Sequence, residues 1–119
     1  MDSTATMFKA AELGVRLELE EGSDRILVSP VNKNTDEIRQ GIRENRDMLR
    51  KDLMIRDAHE FLDRNMVAGA DLSGLDGWHA IIGQQYMDAD PEGFKYAIRG
   101  YTRAGLRAFR EAKRRLEVA

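Results

Sequence analysis

The sequence predicts a mostly helical α+β protein built from two units, and three observations carry this prediction. Between residues 15 and 28, two short runs of strand character flank a turn, which is typical of a β-hairpin. Residues 94–116 place apolar side chains on one face, which indicates a long amphipathic helix. The segment 69–77 contains three Gly and two Asp and marks a break. We expect a helix–hairpin–two-helix (αββαα) unit over residues 1–68, a hinge over 69–77 and a helical unit over 78–119.

The composition excludes several classes of protein. Of the 119 residues, 42% are hydrophobic and 34% are charged, and no run approaches the roughly 18 consecutive apolar residues of a membrane-spanning helix. The chain has no Cys, which excludes disulfides, thiolate chemistry and Cys-ligated zinc and is compatible with the cytoplasm. The net charge of −2 conceals an asymmetry, because residues 1–90 carry −7 and residues 91–119 carry +5. We therefore expect the basic end to face an acidic partner, within the chain or outside it.

The hairpin is predicted from alternation and turn chemistry. Gly14 stands where a preceding helix would end in a left-handed residue. Residues 15–20 then alternate apolar and polar, which is the period of a half-buried strand. Gly22 supplies a residue that tolerates positive φ in the turn, and residues 25–28 form the second strand. Pro30 ends that strand because it has no N–H to donate to a β-ladder.

Helices are predicted on both sides of the hairpin. A short helix from about Thr6 to Leu13 is expected to face inward with Met7, Phe8, Ala10 and Ala11. After the hairpin, Asn34 is the expected N-cap of a second helix, with Glu37 reaching back to it, and Gly41 should weaken that helix. A longer helix from about Arg46 should contact two neighbours, because its apolar residues are widely spread: Met48, Leu49, Leu53, Ile55, Leu62 and Met66.

The second unit should consist of two helices. Residues 78–87 are apolar enough for a short helix, and Trp78 is expected in the core, with anchoring of a partner as the alternative. Asp90 followed by Pro91 is a strong start for the last helix, with Asp as N-cap and Pro in the first turn. The apolar face of this helix is expected to comprise Phe94, Ala97, Ile98, Tyr101, Gly105, Ala108, Phe109, Ala112 and Leu116.

Residues 10–53 resemble the TubC-type N-terminal docking domain, which is also found in small actinobacterial and mobile-element proteins. The motifs that carry the resemblance are Leu13-Gly-Val-Arg-Leu17, Asp24-Arg-Ile-Leu-Val28, and Thr35-Asp-Glu-Ile-Arg39 continuing through Glu44 to Leu49. The resemblance implies an αββαα fold that is commonly homodimeric. It also implies that the hairpin receives a short C-terminal peptide from a partner protein.

The outward face of the hairpin is the first candidate binding surface. We expect Leu27 to point outward with Arg16 and Arg25 nearby, and Glu18 lies on the same strand as Arg16. A second copy of the chain or an extended peptide could complete the two-stranded ribbon by strand addition. The alternative is a solvated hairpin with one incidental exposed leucine.

A row of arginines on the last helix is the second candidate surface. Spacings of 4, 4, 3 and 4 residues place these side chains on one face: Arg99, Arg103, Arg107, Arg110 and Arg114. Such a row would contact phosphates or an acidic protein surface. The alternative is neutralisation by the acidic first half of the chain or of a dimer mate. We identify no aromatic residue on this face, which argues against base stacking.

Catalytic chemistry is poorly represented. His59 is expected to be a packed core residue and His79 to have a structural or interface role, and no cofactor or metal motif is present. We therefore predict a non-catalytic docking or adaptor protein, homodimeric and cytoplasmic, that binds a protein or peptide through its hairpin. The alternatives are a phage or plasmid nucleic-acid accessory protein that uses the basic helix, or an inhibitor of a host protein that presents acidic surface as a nucleic-acid mimic.

Overall fold

The computed structural model describes residues 1–118, with side chains to residue 117, and confirms the mostly helical α+β class. The described elements follow in chain order: α1 (Ser3–Glu12), β1 (Arg16–Leu19), β2 (Ile26–Ser29), α2 (Asp36–Glu44), α3 (Arg46–Arg64), α4 (Asp76–Asp88) and α5 (Pro91–Val118). Short 3₁₀ turns lie at Val31–Lys33 and Ser73–Leu75. The described residues thus contain the predicted helix, hairpin, two helices and two further helices.

The chain divides into two compact units, Met1–Met54 and Ile55–Ala119. This division falls within α3, so that one continuous helix contributes residues to both units. The segment 69–77, which we expected to be a hinge, lies inside the second unit. It contains the 3₁₀ turn at Ser73–Leu75 and the first residues of α4.

The hairpin has the predicted strands and faces. Its strands pair antiparallel, and the inward pairs are Leu17 with Val28 and Leu19 with Ile26. The outward pairs are Arg16 with Ser29 and Glu18 with Leu27. Gly14 and Gly22 have φ values of 69° and 79°, which confirms both as left-handed positions. The buried core of this unit comprises Ala10, Val15, Leu17, Ile38, Ile42, Leu49 and Leu53.

Helix α1 uses a different inward face from the predicted one. Phe8 is 69% exposed and Ala11 is exposed, whereas Ser3 and Thr6 are buried. This face is buried because α1 packs closely on α2, and only small side chains fit between the two helices. At Gly41 an added Cβ would lie within about 3 Å of the Thr6 side chain, so no side chain fits there. Gly41 is therefore needed for the packing of α2 on α1, a role that helix propensity does not indicate.

The start of α2 differs from the prediction by one residue. The N-cap is Thr35 rather than Asn34, and the Thr35 hydroxyl accepts a hydrogen bond of 3.3 Å from the Ile38 amide. Thr and Asn both cap helices well, so residue type alone does not distinguish Thr35 from Asn34. Ile38, whose amide the Thr35 hydroxyl binds, is fully buried. Glu37 does not complete the expected capping pair, because the third helical residue is Ile38.

Helix α5 starts and packs largely as predicted. The Asp90 carboxylate accepts a hydrogen bond of 2.7 Å from the Gly93 amide and so caps the first turn. Most of the predicted apolar face is buried or half-buried, but Leu116 is 64% exposed because it lies near the end of the helix. In the α3–α4 region Met66 is 59% exposed and follows α3 rather than forming part of it. The core of the second unit comprises Ala58, Leu62, Leu75, Tyr101 and Phe109.

Replacing Gly41 with Ala should destabilise the first unit. The added methyl group would meet Thr6, and we expect a loss of about 1 to 2 kcal/mol in the free energy of unfolding, because overpacking outweighs the gain in helix propensity. Urea denaturation measures this loss. The matched control is Gly83→Ala, since Gly83 lies in α4 with open space around its Cα, and this change should be neutral or stabilising. The double variant Gly41→Ala, Thr6→Ala should recover part of the loss, and no recovery would contradict the proposed clash.

Candidate functional site

The outward face of the hairpin neutralises its own charges. Leu27 is 46% exposed, as expected of an outward side chain. Arg16 donates a hydrogen bond of 2.8 Å from Nε to Glu18. Arg25 binds Glu20 through two bonds of 2.6 and 2.8 Å, in a bidentate arrangement. The two cations that we expected beside Leu27 are therefore engaged with carboxylates of the same hairpin.

The Glu20 carboxylate accepts hydrogen bonds from two residues of the hairpin turn, Ser23 and Arg25. The hydrogen bonds from Arg25 and then that from the Ser23 hydroxyl lower the pKa of Glu20, because they favour its ionised form. Ser23 Oγ also accepts a bond of 3.1 Å from the Arg25 amide. Arg25 thus has a structural part in the turn, in addition to the partner-binding part that the sequence suggested.

A groove on the other face of the hairpin has the apolar and cationic character that we predicted around Leu27. This β2–α2 groove encloses about 400 Å³ and is lined by Ile26, Val28, Asn34, Arg39, Ile42, Arg43 and Arg46. Ile26, Val28 and Ile42 supply apolar surface, and three arginines stand around it. No β1 residue lines the groove, so it lies on the β2 side of the hairpin.

The polar groups of the β2–α2 groove are only partly satisfied. Arg39 pairs with Asp36, and Arg46 approaches Asp24 at 4.0 Å. Arg43 is exposed and forms no ion pair within 4 Å among the described residues of this unit. The Asn34 side-chain oxygen is buried and accepts no hydrogen bond from the described residues, a state that costs free energy until a donor arrives. The exposed Arg43 therefore leaves the groove able to accept negative charge.

The arginine row on α5 is exposed and unpaired within the second unit. All five arginines of the row are exposed, namely Arg99, Arg103, Arg107, Arg110 and Arg114. None forms an ion pair within 4 Å with a carboxylate among the described residues of this unit, although the same unit contains pairs such as Lys95 with Glu92. The predicted neutralisation of the row is thus not seen among residues 55–117.

Our expectation that no aromatic residue lies on the arginine face is wrong. Tyr96 is 72% exposed, and the Arg99 guanidinium lies 5.8 Å from its ring centre, within the range of a cation–π contact. Tyr96 precedes Arg99 and Arg103 by three and seven residues, which is the spacing of one helical face. The helical spacing between Tyr96 and these arginines was therefore a signal present in the sequence.

Trp78 also lies against the arginine face, and this position could not be read from sequence. Its six-membered ring lies against Gly100, where an added Cβ would fall well within contact distance of three ring atoms. Two cavities adjoin the indole, of about 410 and 700 Å³. The smaller is lined by Trp78, Tyr96, Arg99, Gly100, Arg103, Ala104 and Arg107. The larger shares Trp78, Ala104 and Arg107 with it and is also lined by Asp71, Ser73, Gly74, Ala108, Glu111, Arg114 and Arg115. We call this surface the arginine–tryptophan groove.

Both histidines lie against the ring of Tyr101. His59 and His79 are both exposed, so the prediction of His59 as a packed core residue is wrong. Their rings contact that of Tyr101 with centroid distances of 5.9 and 5.1 Å. Burial, and to a lesser extent the nearby Asp63 carboxylate, raise the pKa of Tyr101. Tyr101 is 94% buried, whereas both histidines that contact its ring are exposed.

Comparisons with known proteins give no relative for this chain. No protein-family model, no curated protein and no solved structure matches it. Over the residues that the structure describes, no group of three or more His, Asp or Glu side chains is placed to hold a metal ion. No helix in the same part of the chain has the length and apolarity needed to cross a membrane. The resemblance to TubC-type docking domains therefore stays a prediction.

Replacing Gly100 with Ala should displace the indole of Trp78. Because Trp78 is the single tryptophan of the chain, its fluorescence reports this displacement directly. We expect a red-shifted emission maximum, since the ring would gain contact with water. Gly83→Ala adds the same methyl group to α4 in open space and should leave the emission unchanged. Unaltered emission in Gly100→Ala would show that the ring does not pack on this glycine.

Replacing Arg25 with Gln should raise the pKa of Glu20 towards its ordinary value. The Arg25 hydrogen bonds are the largest cause of the lowered pKa, and the Ser23 bond should preserve a smaller part of the effect. In the natural chain this lowered pKa stabilises the hairpin at pH values above the unfolded pKa of Glu20, and the contribution is lost as pH falls through the folded pKa. NMR titration of the carboxyl carbon measures the shift. Arg39→Gln, on α2, is the control and should leave the titration of Glu20 unchanged.

Proposed function

We propose that this chain is a non-catalytic docking protein that binds an extended peptide beside β2. The observation that carries the proposal is the β2–α2 groove, in which three arginines stand around an apolar floor. The sheet contains two strands, so β2 has one edge without a strand partner in the described part of the chain. Such an edge offers N–H and C=O groups that an added peptide strand can pair with.

Strand addition at β2 explains how the groove would be used. Successive side chains of a strand point to opposite faces, so every second residue of the added peptide would face the groove. Aliphatic side chains there would contact Ile26, Val28 and Ile42. Residues facing the other way would lie beside Leu27, the exposed residue on which the sequence prediction centred.

The charges of the groove favour an acidic peptide. Arg43 is exposed without an ion pair in the described part of its unit, and Arg39 and Arg46 are each shared with one exposed aspartate. Asp or Glu side chains of the peptide, or its terminal carboxylate, would accept charge-assisted hydrogen bonds from these three arginines. We therefore infer a partner segment that alternates aliphatic and acidic residues. Homodimerisation stays a prediction, and static light scattering of the full chain tests it.

Selection from a random peptide library displayed on phage tests the proposal. We expect enrichment of extended segments with aliphatic residues at alternate positions and acidic residues among them. Binding of a selected, fluorescently labelled peptide should weaken by about tenfold or more in the variant Arg39→Glu, Arg43→Glu, because both changes place repulsive charge in the groove. Leu27→Asp should weaken binding of the same peptide to a smaller extent, since it changes only the outward face of the hairpin and not the groove.

The matched control carries the same change of net charge elsewhere. Arg103→Glu, Arg107→Glu alters two exposed arginines of the second unit and should leave peptide affinity within about twofold, because neither residue lines the groove. Circular dichroism should show an unchanged helix content for each variant. Equal peptide affinity for the natural chain and the Arg39→Glu, Arg43→Glu variant would remove the groove from the mechanism.

A further inference from the structure

We propose that the second unit binds single-stranded nucleic acid along the arginine–tryptophan groove. This inference rests on residues 78–114 and is independent of peptide binding by the first unit. Its starting point is a local excess of positive charge on α5, where the five arginines of the row have no carboxylate within 4 Å among the described residues of the unit. Residues 91–119 carry eight Lys and Arg against three Asp and Glu.

The arginine row has the dimensions of a polyanion site. From Arg99 to Arg114 the row runs for about 22 Å along the helix axis, at 1.5 Å per residue. Like charges at this spacing repel each other by a few tenths of a kcal/mol per pair, a cost that phosphates would remove. A row of this length can contact several successive phosphates of one strand. A single small anion would engage only part of it.

The aromatic residues select nucleic acid over other polyanions. Tyr96 is 72% exposed and lies under the Arg99 guanidinium, so it presents a ring within the row itself. Trp78 lines both cavities that adjoin Arg107, and its indole is held in place against Gly100. Nucleobases stack on such rings with little dependence on sequence, because every base has a π-face. An acidic protein surface would contact the arginines and make no use of the exposed Tyr96 ring.

The geometry favours single strands over duplex. In a duplex the bases are stacked inside, so that the protein meets phosphates and groove edges. Exposed aromatic rings beside a line of cations are instead the arrangement that single-strand binding proteins use, with cations along the backbone and rings beneath the bases. Here the cations and the exposed ring of Tyr96 lie on α5, and the half-buried ring of Trp78 lies on α4 beside them.

Fluorescence anisotropy of the full chain with labelled oligo(dT) of about 20 nucleotides tests the proposal. Affinity should fall with salt, and five phosphate contacts predict a slope of log K against log salt of about −3.5. Emission from Trp78 should be quenched on binding, because a thymine would stack near the indole. Heparin carries negative charge without bases and should produce no such quenching.

Three variants separate charge from stacking. Arg103→Glu, Arg107→Glu should weaken oligo(dT) binding by about tenfold or more and reduce the salt slope by about 1.4, the share of two contacts. Tyr96→Leu should weaken binding by about three- to tenfold and leave the slope unchanged, because it removes a ring and no charge. Arg39→Glu, Arg43→Glu has the same charge change in the first unit and should retain the affinity of the natural chain.

Each other outcome overturns the proposal. Absence of oligo(dT) binding at low salt removes nucleic acid as the ligand. A general anion surface, such as one for an acidic protein, would give a different set of results. Oligo(dT) would bind without quenching Trp78, heparin or polyglutamate would bind with the same affinity, and Tyr96→Leu would leave the affinity unchanged. Tighter binding to a duplex of the same length would exclude single-strand selectivity. Circular dichroism of each variant distinguishes loss of the site from loss of the fold.

Discussion

Close contact between helices at glycine is the constraint on which both units depend. In the first unit, Gly41 lets α2 approach Thr6 on α1, and α2 in turn supplies one wall of the β2–α2 groove. In the second unit, Gly100 receives the ring of Trp78, and Gly105 receives Leu62 of α3, whose Cδ2 would lie 2.6 Å from an added Cβ. A glycine inside a helix costs roughly 1 kcal/mol of helix propensity relative to alanine. The buried surface that these contacts allow offsets that cost, because dispersion and exclusion of water both increase when helix axes come closer.

The two surfaces differ in how the chain treats its own charges. On the hairpin, Arg16 and Arg25 are bound by carboxylates that lie two and five residues away, so the fold uses their charges internally. On α5, the arginines recur every three or four residues with few acidic residues between them, and Arg103 and Arg107 have no carboxylate within 4 Å among the described residues of their unit. Similar residue types thus stabilise a turn in one unit and are exposed without an ion pair to a described residue of the same unit in the other.

The elements that the sequence predicted well are those with strong local signals. Alternation over residues 15–20 and a turn glycine define the hairpin, and Asp90 with Pro91 defines the start of α5. Errors in α2, α3 and α5 concern helix ends, where the N-cap of α2 is displaced by one residue and Met66 and Leu116 are exposed, whereas the error at Phe8 depends on a neighbour that is distant in sequence. Phe8 was predicted to be in the core, but α1 packs on α2 at Gly41 through Thr6, and Phe8 is exposed. His59 was also predicted to be in the core, but it is exposed and contacts the ring of Tyr101. Tyr96 is the exception, because its helical spacing to the arginines was available from the sequence alone.

The sequence by itself determined the mostly helical class, the hairpin with its inward and outward faces, the apolar face of α5 and the spacing of its arginines. Each follows from backbone periodicity and capping, which act over a few residues and need no knowledge of the rest of the chain. Only the tertiary structure decided that the cationic apolar groove lies between β2 and α2, and that Trp78 lies beside the arginine row. The reason is that a groove or a ring contact exists only where two elements pack, and the helix separations involved are set by side-chain volumes on both partners.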